Sequence, residues 1–225
     1  MKLALVTRAD ENVKEMTDVT HPVIKKYAER CGAEFIILTD DKKPPESHWR
    51  ILQVYKLLDE YDRIIIMDSD VIVKKNCPNL FEVVPEDCIG TIFEDVGSRQ
   101  AHRRQLIEAV QKEREDVGWR SGYINTGVFV VSKMHKEIFN RDITKVWRGF
   151  GEDDVELGYW IRKLGFKIYE LDYHFNQMSL FCEKGESRFN GFVTHFAGNG
   201  FWPFLSNTDE VKQDMALLKN LGLVE

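Results

Sequence analysis

The sequence predicts a single α/β domain with a mixed, mostly parallel central sheet flanked by helices. Three observations carry this. Short apolar runs alternate with helix-like stretches through the first half, the pattern of a parallel sheet covered by helices. Polar and acidic residues gather where the apolar runs stop, and ligands of open α/β sheets bind beyond the carboxyl ends of the strands. The 225 residues, 43% hydrophobic and 30% charged, suffice for one buried core, and no internal repeat, low-complexity tract or Gly/Ser linker divides them.

In chain order, strand-like runs fall at Leu3 to Val6, Phe35 to Leu38, Ile64 to Met67 and Cys88 to Phe93, with helix-like stretches at His21 to Arg30 and Trp49 to Tyr61 between them. Pro22, close behind Thr20, predicts a helix start, because proline loses nothing in a first turn whose N–H groups lack intrahelical partners. Asp40 to Ser47, with Pro44 and Pro45, reads as a loop within the domain. The charged stretch Asp95 to Gly118 reads as an exposed helix with loops. Residues 1 to about 95 have the look of a nucleotide-binding α/β unit, and about 96 to 225 form the other half of the same domain.

Charge and composition exclude several classes. The net charge is −6, and basic residues alternate with acidic ones, so the basic stripe of a nucleic-acid binder is missing. Met1 to Thr7 is apolar but runs at once into Arg8, Asp10 and Glu11, too short for the core of a signal peptide. No stretch reaches the length of an integral membrane segment. Cys31, Cys77, Cys88 and Cys182 stand far apart without a C-x-x-C pair, which argues against a zinc site and for a reducing, cytoplasmic setting.

The most informative segment is Asp68-Ser69-Asp70, caught between the apolar runs Ile64 to Met67 and Val71 to Val73. In extended backbone positions i and i+2 face the same side, so the two carboxylates project together, and a hard divalent cation such as Mn²⁺ or Mg²⁺ removes the cost of leaving them unpaired. The same tripeptide also suits a solvated turn. An apolar strand ending in Asp-x-Asp is also how haloacid dehalogenase-like phosphatases begin their site, but that pattern asks for Thr or Val where this chain has Ile72. Asn125-Thr126-Gly127 leads into an apolar run; the Asn125 amide can bind sugar hydroxyls and Gly127 allows close approach, or simply a bulge. Glu152-Asp153-Asp154 opens a helix-like stretch, where acidic residues suit the dipole as well as catalysis. His195-Phe196-Ala197-Gly198 places a histidine at another strand end.

In this order the segments resemble the metal-dependent glycosyltransferases of the A-type fold, above all the retaining enzymes of glycosyltransferase family 8. The opening Thr7-Arg8-Ala9-Asp10-Glu11-Asn12 is similar to that family's first strand and nucleoside-binding loop, and the resemblance runs from Leu3 to about Pro203. It implies transfer of a hexose from a nucleotide diphosphate donor, with UDP the expected leaving group, to a glycan or other hydroxyl acceptor. Asp68, Asp70 and His195 become the ligands of Mn²⁺ or Mg²⁺, and Asp153 and Asp154 the catalytic cluster. Thr7, Asp10 and Ser69 border the nucleoside and metal motif, Asp95, Asn125 and Gly127 position the sugar, and Gly198 leaves room for the donor. Arg50 or Lys56, or else Lys184 or Arg188, hold the diphosphate.

The departures are specific. Val13 stands where the family carries an aromatic residue, no lysine follows the His195 segment, and Asp153 replaces a glutamine. The stretch from Gly151 to Leu157 also looks like the helix of inverting enzymes, so the stereochemical outcome stays open. Tyr173 to Asn176, Phe201 and Trp202 offer aromatic faces for an acceptor, and Asp95 to Gly118 is placed as a cover over the donor. A sugar nucleotidyltransferase is the remaining enzymatic alternative, but its Gly-rich loop is absent from Thr7 to Asp10. A non-catalytic carbohydrate-binding module has no need of a metal pair.

Overall fold

The first strand is a short apolar run whose Ala4, Leu5 and Val6 are buried on alternate faces of the sheet. In the computed structural model, which describes residues 1–39 and 46–224, β1 (Leu3–Arg8) is followed by α1 (Lys14–Arg30), β2 (Glu34–Leu38), α2 (Val54–Glu60) and β3 (Arg63–Met67). The expected loop from Asp40 lies largely outside the described residues. Next come β4 (Val71–Val73), the one-turn α3 (Leu80–Val83), β5 (Cys88–Thr91), α4 (Gln100–Glu113) and β6 (Val128–Ser132). The chain ends with α5 (Glu152–Lys163), β7 (Lys167–Glu170), β8 (Val193–His195) and α6 (Asn207–Asn220).

The main sheet has the order β2-β1-β3-β6-β5-β7. β6 runs antiparallel to both neighbours, while β1 pairs in parallel with β2 and β3, and β5 with β7, giving the mixed, mostly parallel sheet that the sequence predicts. Leu5, Ile65, Met67, Val128 and Val130 face one side and pack on Ile24 and Tyr27 of α1. Ala4, Val6, Ile64, Ile66, Phe129 and Val131 face the other and pack on Val54 and Leu58 of α2 and on Leu157 and Ile161 of α5. The period of two along each strand thus builds two cores, and each fully buried aliphatic side chain contributes about 2 kcal/mol.

Three elements differ from expectation. α1 begins at Lys14, so Pro22 lies inside it and not at its start. The start is set instead by Asp10, whose side chain accepts from the Asn12 N–H at 2.8 Å and caps a 3-10 turn, Glu11–Val13, that runs into the helix. Burial of Met16, Thr20, Val23, Ile24 and Tyr27 along one face carries the helix across the proline's missing donor. The second helix-like stretch opens as a 3-10 segment, Glu46–Gln53, before α2 proper. α4 is not simply exposed, since it buries Arg103, Ile107, Val110 and Gln111 against a cluster containing Trp119, Tyr123, Val155 and Tyr159.

A second, two-stranded sheet pairs β4 with β8 antiparallel, with Val71 opposite His195. That register brings the end of the chain's last strand beside the Asp68-Ser69-Asp70 turn. Among the described residues no helix is long and apolar enough to cross a membrane.

Candidate active site

Asp68 and Asp70 occupy the tight turn between β3 and β4, not an extended strand, yet their alternation survives. Ser69 turns inward, its hydroxyl 3.3 Å from that of Thr7 and bonded to the Arg8 carbonyl, while its own carbonyl accepts from the Thr20 hydroxyl at 2.7 Å. The aspartates turn outward. The backbone is pinned on both flanks: the Asp68 N–H donates to the Gly127 carbonyl at 2.9 Å and the Phe196 N–H to the Asp70 carbonyl at 3.0 Å.

His195 completes the group. Its Nε2 stands 3.2 Å from Asp70 Oδ1 and 3.7 Å from Asp68 Oδ2, and one ligand atom from each of the three residues lies within 4.8 Å of the others. Nδ1 is 2.7 Å from Asn176 Oδ1, and Asn176 Nδ2 donates to Asn125 Oδ1 at 2.7 Å. With its amide nitrogen so engaged, Asn176 offers its carbonyl to Nδ1–H, leaving Nε2 to the carboxylates. Two carboxylates and an imidazole whose second nitrogen is fixed form a donor set that suits Mn²⁺ or Mg²⁺. Electrostatics agree: burial disfavours the charged forms, but Asp70 and Asp68 raise the His195 pKa, and Arg8 with His195 lowers that of Asp68. Gly127 serves this arrangement directly, because a Cβ there would lie 2.3 Å from His195 Cε1. The glycine makes room for the histidine, and the sequence reading had given that room to a ligand.

The acidic motif forms the facing wall. Gly151, at φ +78°, precedes α5, and a side chain there would strike the Tyr123 hydroxyl at 2.0 Å. Asp154 Oδ1 accepts from both the backbone N–H and the hydroxyl of Thr126 at 2.8 Å, and the same hydroxyl lies 3.1 Å from Asp153 Oδ2. Burial, then the nearby Asp153 and Glu94, push the Asp154 carboxyl well above the usual carboxylate range. Both walls border one cavity of about 850 Å³, within the size range of small-molecule sites.

The profile of glycosyl transferase family 8 matches residues 9–199. The chain belongs to glycosyltransferase family 8. It is a glycosyltransferase, and this membership decides against the phosphatase, nucleotidyltransferase and non-catalytic alternatives. Among solved structures it is similar to a glycosyltransferase involved in glycosylation of the major capsid of PBCV-1, with a TM-score of 0.64, 14% identity, and coverage of 96% of this chain and 100% of that one. It is similar to the galactosyltransferase LgtC in complex with donor and acceptor sugar analogs, with a TM-score of 0.63, 16% identity and coverage of 95% of each chain. It is also similar to mouse xyloside xylosyltransferase 1, with a TM-score of 0.51, 13% identity, and coverage of 88% of this chain and 98% of that one. Identities this low show a shared A-type fold. A search of curated protein sequences finds no significant match.

Within this family 8 fold, Asp68, Asp70, Asn125, Asp153, Asp154, His195 and Gly198 line the cavity. Thr7 and Ser69 are buried behind the metal motif. Asp10 and Arg50 pair with each other at 2.8 Å outside the cavity lining, and Lys56 sits exposed on α2, away from it. Arg188 is held by both oxygens of Asp214, at 2.7 and 2.8 Å. Asp95 is likewise turned to structural work, accepting from the Gly122 and Tyr123 N–H groups at 3.0 and 2.9 Å and from Arg104 at 3.2 Å. Its neighbour Glu94 reaches the cavity instead, bonded to Arg103 Nε at 2.7 Å and to Asn125 Nδ2 at 2.8 Å, with Arg99 at 3.2 Å.

Sequence reasoning missed Arg8, Glu94, Arg99, Arg103 and Asn176. Arg8 ends β1, so the rule that directs attention to strand ends could have found it. Asn176 was hidden in a stretch read only for its aromatic rings, and Arg99 and Arg103 in one read as an exposed helix with loops.

Proposed function

We propose that this family 8 enzyme transfers a hexose from a UDP-hexose to a hydroxyl of a glycan or similar acceptor, with UDP as the leaving group, assisted by Mn²⁺ or Mg²⁺ held by Asp68, Asp70 and His195. The observation that carries the reading is the convergence of these three side chains, with the imidazole oriented by Asn176, opposite the acidic start of α5 in one cavity. When bound, the cation supplies Lewis-acid stabilisation to a departing nucleotide diphosphate.

The chain's own residues divide the remaining work. Asn125, fixed by Glu94 and Asn176, presents an amide to the donor sugar, and Gly198 leaves space beside it. Asp153 and Asp154 face the reacting carbon. With inversion one of them takes the acceptor's proton; with retention it steadies positive charge on the sugar's opposite face. Burial raises the pKa of the Asp154 carboxyl above the usual carboxylate range, the direction that favours a proton-carrying role. Trp202 and Phe204, both exposed and following the Gly198 to Gly200 edge of the cavity, offer ring faces to an acceptor.

The test is a panel of sugar nucleotides scored for slow donor hydrolysis with and without Mn²⁺. One UDP-hexose should be hydrolysed in a metal-dependent manner, and Asp70→Ala should abolish metal-dependent UDP binding. UDP binding that survives both chelation and Asp70→Ala overturns the reading.

A further inference from the structure

Arg8, at the end of β1, contacts both walls of the cavity. Its NH2 bonds Asp68 Oδ1, and its NH1 bonds Asp153 Oδ2 at 2.5 Å and the His48 carbonyl at 3.0 Å. The side chain is 10% exposed. Asp68 belongs to the turn after β3 and Asp153 to the first turn of α5, so one guanidinium ties the metal motif to the acidic helix. Burying a cation between two carboxylates is costly without a return in geometry or function, and β1 needs no such anchor, being paired along its length with β2 and β3.

The charge around it gives a reason. Asp68, Asp70, Glu94, Glu152, Asp153 and Asp154 all line the cavity. Arg99 and Arg103 are both engaged by Glu94, whereas Arg8 is placed between the metal motif and α5, paired with a carboxylate of each. So acidic a cavity favours a divalent cation and opposes a diphosphate; a positive charge at this point has the reverse effect on each.

We propose that Arg8 is a positioning residue of the transfer site. It holds Asp68 through Oδ1 so that Oδ2 faces His195, it holds Asp153 beside the reacting sugar, and its charge offsets the acidic cavity for an incoming nucleoside diphosphate. This rests on the proposed Mn²⁺ and UDP reading, and lysine does not reproduce the bridge, because its compact ammonium lacks the rigid planar fork of donors that a guanidinium spreads between two carboxylates.

Two ligands titrated separately test it. For Arg8→Met, Mn²⁺ alone, followed by electron paramagnetic resonance of the free ion, should bind about threefold to tenfold more tightly, while UDP at saturating Mn²⁺ should bind about tenfold more weakly. A merely structural role weakens both together, and that result, or unchanged affinities, overturns the proposal. Arg8→Lys keeps the charge without the bridge and carries the test if Arg8→Met does not fold. Its Mn²⁺ and UDP affinities should stay within about threefold of wild type, while kcat falls about tenfold or more at unchanged donor KM. Wild-type kcat in Arg8→Lys contradicts the positioning role. If wild-type protein binds neither Mn²⁺ nor UDP, the metal and donor reading fails and takes this one with it; wild-type binding with unaltered Arg8→Met affinities sinks the Arg8 assignment alone.

Discussion

Asn176 is buried completely and has both ends of its amide engaged, accepting from His195 Nδ1 and donating to Asn125, each at 2.7 Å. A ring held this way presents Nε2 to the aspartates with little freedom to rotate, and partners of this kind typically govern metal affinity by 10- to 100-fold. Asn176→Ala should therefore weaken Mn²⁺ binding by about that factor, measured by calorimetry on protein whose circular dichroism is unchanged. Asn176→Asp, which keeps an acceptor for Nδ1–H, should recover most of it. Equal Mn²⁺ affinity in wild type and Asn176→Ala would show that the imidazole needs no such support. At this scale the sequence named the three candidate ligands, because each stands at the end of an apolar run, and Asp153 and Asp154, because they open a helix-like stretch. It could not assign Glu94 over Asp95: neighbouring carboxylates look alike in a string, and only the Gly122 and Tyr123 N–H groups that capture Asp95 tell them apart.

Pro22 shows how elements answer to packing before local preference. It lies exposed within α1, where it removes the hydrogen bond that residue 22 would give to Asp18. A buried face from Met16 to Ala28 holds the helix together across it. Proline in a helix interior costs about 3 kcal/mol relative to alanine, and part of that is offset by the reduced freedom it imposes on the unfolded chain. Pro22→Ala should raise stability by about 1 to 3 kcal/mol in urea unfolding. A neutral or destabilising result would show that the helix uses the proline's geometry to reach its partners. The inner strands of the first half were legible as short, continuous apolar runs buried on both faces; the extent of α1 and the 3-10 character of Glu46–Gln53 were not, since both are decided by residues distant in sequence. The buried side of α4 was hidden for the same reason, its apolar positions being interleaved with arginines and glutamates.

Across the whole molecule, the sheet sets the distance between the two walls of the site, and the reversed strand β6 is what carries Asn125 to Gly127 back to the metal turn. The sequence reading expected a mixed sheet but did not say which strand reverses, because strand direction leaves no mark in composition. Stability of the same sheet depends on a buried histidine outside the site. His135 accepts the Ser132 N–H through Nδ1 at 3.0 Å, and burial holds its pKa down at about 4. Protonation would set two donors face to face. A histidine depressed in the folded state contributes stability that is present above its ordinary value near 6.5 and is lost as pH falls toward about 4. The contribution is roughly 3 kcal/mol. In urea unfolding His135→Gln should be less stable than wild type at pH 7.5, and the gap should close by about pH 4; a gap independent of pH contradicts the assignment.

The most direct measurement is anomalous diffraction from crystals soaked in Mn²⁺ and UDP. One strong manganese peak is expected, about 2.0 to 2.3 Å from Asp68, Asp70 and His195 Nε2, with the diphosphate against it. A peak elsewhere, or UDP bound in the cavity with no manganese between these three side chains, would contradict the account.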